Sequence, residues 1–145
     1  MTEHFSLNEF TASQEATRHG INNKPSEKVV ENLRMLAALL EQVRELLGGN
    51  SIRISSGYRS LALNRHIGSN DTSAHVRGYA ADFTCPSFGT PIEVAKKIAE
   101  SNLKFDQLIC EGNAWVHISC DPQNRRQLLT ARFEHGHTYY TTGIT

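Results

Sequence analysis

The chain carries no excess of charge of either sign: Lys and Arg total 15, and Asp and Glu total 15, in 145 residues. That balance excludes a protein drawn to nucleic acid or to an anionic membrane by its overall field. No apolar run approaches the roughly 20 residues that span a bilayer. Cysteine is scarce. Cys85, Cys110 and Cys120 are odd in number and have no C-x-x-C spacing, which argues for free, buried thiols of a reducing compartment. A Cys110–Cys120 bridge across a hairpin is the one pairing left open. The opening Met-Thr-Glu-His-Phe has neither the basic region nor the apolar segment of a secretory signal. The expectation is therefore cytoplasmic synthesis without a signal peptide. The length suits one domain with a real core over residues 1–145, with 130–145 as a peripheral tail.

What is present reads as alternating helix and strand signals. Ser6-Leu-Asn-Glu9 is a capping box ahead of Phe10, and Gly20 can end the turn that follows. Pro25-Ser26 opens one long helix, with Val29, Val30, Leu33, Leu36, Ala37, Leu40, Val43 and Leu47 at three- and four-residue steps and Gly48-Gly49 as its stop. Nothing in that helix suggests chemistry. A short alternating strand is predicted over 51–55, a short helix over 61–65, and a helix from Thr90-Pro91 to about Ser101. The stretches 105–111 and 114–118, separated by Gly112-Asn113, read as a β-hairpin.

The chemistry concentrates in three places. Ser73-Ala-His75-Val-Arg77-Gly78-Tyr79-Ala-Ala-Asp82-Phe83 sets an imidazole and a carboxylate seven residues apart. Both are zinc ligands in kind. On a strand from Tyr79, Asp82 shares a face with Ala80, and burying its charge among apolar neighbours is costly unless something compensates. A catalytic zinc takes about three protein ligands and leaves one open position. The alternating Trp115-Val-His117-Ile-Ser119 supplies the third, with Trp115, His117 and Ser119 on one face. Arg59 follows a strand and a Gly turn and can project into a cleft, where its planar fork suits a carboxylate or a developing oxyanion. The alternative is a structural ion pair. Ser73 can bind substrate or cap its loop.

Together, Ser56-Gly-Tyr-Arg59-Ser60, Ser73-Ala-His75-x-x-Gly78-x-Ala-x-Asp82 and Trp115-Val-His117-Ile-Ser resemble the zinc D-alanyl-D-alanine metallopeptidase family. That family contains D,D-carboxypeptidases, D,D-dipeptidases and phage endolysins, and the hedgehog signalling domain shares its core. The likeness runs from about His4-Phe5 to Asn124-Arg125 and is strongest to the short, single-domain bacterial and phage members. It implies an α+β fold: a small, mostly antiparallel sheet with helices on one face and a zinc cleft on the other. It further implies Zn2+ held by His75, Asp82 and His117, a substrate-facing role for Arg59, Ser73 and Trp115, and hydrolysis of peptidoglycan stem peptides or crosslinks. The expected setting is a phage or prophage endolysin-type cell-wall enzyme, acting after release or carried on a virion, with no nucleic-acid or membrane partner. Trp115 can equally be only a cleft wall.

One departure from the family pattern concerns the catalytic base. Many members carry Glu three residues before the last His ligand, and here that position is Ala114. Hedgehog-like and short members place a Glu about where Glu111 stands. Paired residues on adjacent strands share a face, so Glu111 reaches the side of His117 only if the hairpin loop is odd. A three-residue loop, Gly112-Asn113-Ala114, meets that condition and suits a left-handed residue. Glu111 is then the base, against the alternative of a surface Glu at a hairpin corner. Asp106 is the reserve, placed by alternation on the opposite face. The rival function is a zinc-stabilised binding module or virion structural protein that does no chemistry. His135-Gly-His137, His4, His19 and His66 lack partners of suitable spacing and read as surface or packing histidines.

Overall fold

A computed structural model describes residues 1–145. Six strands form one sheet: β1 (Arg53–Ser56), β2 (Ala80–Thr84), β3 (Gln107–Glu111), β4 (Trp115–Ser119), β5 (Gln127–Glu134) and β6 (His137–Thr142), in the order β1-β2-β4-β3-β5-β6. Every neighbouring pair is antiparallel except β3 and β5. Helices α1 (Leu7–Thr11), α2 (Gln14–Arg18), α3 (Glu27–Leu46), α4 (Leu61–His66) and α5 (Pro91–Ala99) complete the α+β domain. No helix is long and apolar enough to cross a membrane.

Alternation along the strands divides the sheet into two chemically different faces. Ala81, Phe83, Leu108, Cys110, Val116 and Ile118 join Leu33, Leu36, Leu40 and Val43 of α3 and Val94, Ala95 and Ile98 of α5 in one core. The opposite face carries Asp82, Glu111, Trp115, His117 and Ser119 and lines a cleft. The helix starts are those read from sequence. Ser6 and Thr90 each make both bonds of a capping box, and Ser26 caps α3. All three cysteines are free thiols; Cys85 and Cys110 are buried and Cys120 partly so.

The C-terminal segment carries the last two strands of the sheet. β5 lies inside the sheet, parallel to β3, with Thr130 and Ala131 buried, and β6 closes the edge. The unpaired edge of β3 needs hydrogen-bond partners, and β5 supplies them after the chain passes the N-terminal end of β3. Two arginines pin that passage. Arg125 donates to the Asp106 carboxylate at 2.8 and 2.9 Å, and Arg126 reaches the carbonyls of Ser101 and Leu103 at 2.5 and 3.1 Å. His135 and Gly136 form the exposed β5–β6 turn, with His137 opening β6.

Candidate metal centre

Three elements bring His75, Asp82 and His117 together. Asp82 on β2 stands directly opposite His117 on β4. His75 lies in a 3₁₀ turn (Ala74–Arg77) that Ser73 caps and that Gly78 ends with φ +79°. A Cβ at Gly78 would also sit 2.9 Å from Val29, so neither the backbone nor the space admits a side chain. Asn32, buried in the middle of α3, donates to the Arg77 carbonyl at 2.8 Å and ties the turn to the long helix.

The loop after β1 holds His75 from the other side. Arg59 N–H donates to the His75 carbonyl at 3.1 Å, and His75 Nδ1 lies 2.7 Å from the Gly57 carbonyl. A carbonyl only accepts, so Nδ1 carries the proton and Nε2 presents a lone pair when the ring is neutral. Burial lowers the His75 pKa, although Asp82 pulls against it, and this favours the neutral ring. That lone pair faces Asp82 Oδ1 at 3.4 Å. The same oxygen stands 3.0 Å from His117 Nδ1.

One carboxylate oxygen is thus shared by two buried imidazoles, and one of those approaches sets acceptor against acceptor. Burial works against the ionisation of Asp82, yet the two imidazoles outweigh it and hold its pKa well below the usual carboxylate range. For His117, burial favours the neutral ring, while its hydrogen bond to Asp82 and that residue's charge raise its pKa. The ligand atoms all lie within 4.8 Å of one another. Two imidazoles and one carboxylate form a donor set suited to a borderline divalent cation, and a cation among them resolves the lone-pair opposition. The residues therefore fit such an ion.

Glu111 lies on the same face. The β3–β4 loop has three residues, Gly112 and Asn113 take left-handed backbone, and the register pairs Glu111 with Trp115 and Ile109 with His117. The Trp115 indole N–H donates to Glu111 Oε2. Burial, and then the charge of Asp82, raise the Glu111 pKa.

Arg59 makes no ion pair. Its one side-chain hydrogen bond is to Ser73 Oγ at 3.5 Å, and its buried Nε has no partner. Burial pushes its pKa down, and the charges of Asp82 and Glu111 oppose that. The structural ion pair weighed for Arg59 is absent. Ser73 Oγ accepts from His75 N at 3.3 Å, which is the capping role, while the residue also lines the cleft.

The cleft over these residues encloses about 440 Å³. Arg59 also borders a larger groove of about 1090 Å³ between α1, α2 and β1. One contributor escaped the sequence reading, and one was assigned to the wrong face. Tyr140 of β6 lines the cleft. It belongs to a row across the sheet, Trp115–Glu111–Ala131–Tyr140, in which Ala131 is small enough to leave the aromatic ring and the carboxylate as neighbours. Alternation along β6 could have revealed its facing, but not that β6 joins this sheet. At the far end Asp106, just ahead of β3, lines the same cleft instead of turning away, and its carboxylate is taken by Arg125. Ser119 Oγ and Asp121 Oδ1 are buried there without partners.

A family model described as Peptidase M15 matches residues 3–119. No curated protein matches the chain.

Proposed function

Since the chain belongs to the peptidase M15 family of metallopeptidases, we propose that it is a zinc-dependent peptidase that cuts peptide bonds of peptidoglycan stem peptides or crosslinks, in the manner of a phage or prophage cell-wall enzyme. The observation that carries this reading is one cleft face holding His75, Asp82 and His117 beside Glu111, a carboxylate with a raised pKa and no cationic partner. His75, Asp82 and His117 would hold the ion. A divalent ion there supplies Lewis acidity, polarising the scissile carbonyl and acidifying water.

The chain's own residues supply the rest. Glu111 accepts the proton of the attacking water and passes it to the leaving amine. The Trp115 indole N–H holds Glu111 Oε2, and Oε1 receives no hydrogen bond from the protein. Arg59, free of any ion pair, meets the developing oxyanion or a substrate carboxylate. Ser73, Trp115 and Tyr140 line the path of the peptide.

The test is clearing of outer-membrane-stripped bacterial walls, with and without a chelator. Clearing that chelation and Glu111→Ala both abolish supports the peptidase. Mass analysis of the released muropeptides then identifies the bond. Ala114, standing where many relatives carry the acid, favours a second reading: a zinc-stabilised binding module or virion subunit. Retention of zinc with no clearing of any wall preparation would select that reading.

A further inference from the structure

Outside the cleft, one other cluster of metal-ligating side chains comes together, and it does so only in the folded chain. Glu15 lies in α2 and His19 caps its C-terminus, four residues on, so both project from one side of the helix. His66 closes α4, far along the chain. The fold sets the two imidazoles 4.3 Å apart, centroid to centroid, with their planes at 48°.

Both imidazoles turn Nε2 to the same atom. Glu15 Oε2 lies 3.4 Å from His19 Nε2 and 3.6 Å from His66 Nε2. Arg18 occupies the other carboxylate oxygen at 3.3 Å, leaving Oε2 to the two rings. These separations are long for a charge-assisted hydrogen bond, which closes to about 2.7–2.9 Å. They match the edge of a coordination tetrahedron: bonds of about 2.0–2.2 Å to a central zinc set neighbouring ligand atoms about 3.3–3.6 Å apart. The three ligand atoms all fall within 4.8 Å of one another.

We propose that Glu15, His19 and His66 form a second divalent-cation site, distinct from the cleft and selective for borderline ions such as Zn2+, Ni2+ or Cu2+. Two neutral imidazoles and one carboxylate suit these ions over Mg2+ or Ca2+, which demand oxygen-rich shells. The ligands are about half exposed, so water completes the coordination and exchange is open to the solvent. An ion here joins α2 to α4. Glu15, Leu63 and Ile67 also line the larger groove beside Arg59, so occupancy ties two walls of that groove together. The site shares no residue with the cleft and stands whether or not the cleft is catalytic.

The experiment is calorimetric titration of the chelator-stripped full chain with Zn2+ at neutral pH. The wild type is expected to take two equivalents and His19→Ala/His66→Ala one. Asp82→Asn, which weakens the cleft site, is expected to keep the ion bound by Glu15, His19 and His66. Because both histidines are exposed, the double variant should fold, and circular dichroism verifies it. Anomalous scattering at the zinc edge from crystals of the wild type should place an ion between the two rings. Equal stoichiometry for the wild type and the double variant up to millimolar zinc would overturn the proposal.

Discussion

Gly57→Ala is the substitution whose consequence follows most directly from the geometry. A Cβ at this position would lie 2.5 Å from the Phe10 carbonyl oxygen, 2.8 Å from its Cα and 3.0 Å from its carbonyl carbon. All three are backbone atoms, and Tyr58 N–H donates to that same carbonyl at 2.7 Å, so α1 cannot simply swing aside. The loop must retreat by about 1 Å to reach ordinary contact distance. Gly57 also supplies the carbonyl 2.7 Å from His75 Nδ1 that orients the ring. Overpacking of this kind costs about 1–3 kcal/mol, or roughly 2–12 °C in melting temperature for a chain near this size. Losing the partner that orients a metal-bound imidazole typically weakens metal affinity about 10–100-fold. Thermal unfolding of the metal-free chain reads the first effect, and competition with a chromogenic chelator reads the second. If the variant matched the wild type in both measurements, the account of how the loop after β1 seats His75 would be wrong.

Glu111→Gln should lower wall-clearing activity by about 10²–10⁴-fold while leaving the melting temperature and bound metal unchanged. A base works deprotonated, and burial and Asp82 raise the Glu111 pKa. In the metal-free chain the Glu111 carboxyl should therefore titrate above the ordinary glutamate range, and Arg59→Ala, which removes a lowering influence, should move it higher still, as read by NMR of the carboxyl carbon. Asp106→Asn should cost about 1–3 kcal/mol at neutral pH by breaking the bonds from Arg125. Those bonds lower the Asp106 pKa despite burial. The folded value therefore lies below the unfolded one: the carboxylate stabilises the fold above its unfolded pKa, and that contribution fades as pH falls through the folded pKa. The wild type should lose this stability below about pH 4, and the variant should lack that limb in acid titration of the melting temperature. Tyr140→Ala, at a residue 56% exposed, should raise KM for wall fragments several-fold with little change in stability. An unchanged KM would remove β6 from the substrate path.

Much of the fold was legible because its information is local. The capping boxes at Ser6 and Thr90, the three- and four-residue rhythm of α3, and the two-residue rhythm of β4 depend on neighbours within a turn or a strand. The placement of Glu111 was legible for the same reason: a three-residue loop with left-handed residues fixes which β3 side chains share the face of His117. Where the reading stopped, the missing facts concerned segments far apart in the chain. Asn32 gave no sign that it would anchor Arg77, since a lone Asn in a helix is equally at home facing solvent.

From sequence alone came the helices and the hairpin parity, because backbone propensity and side-chain period are written into adjacent positions, while the family motifs singled out His75, Asp82 and His117. Tertiary structure alone decided that β5 runs parallel to β3, that Tyr140 stands beside the cleft, and that Glu15, His19 and His66 meet. Those outcomes depend on which edge of β3 remains unpaired and on which faces bury together, and such choices belong to the packed chain as a whole.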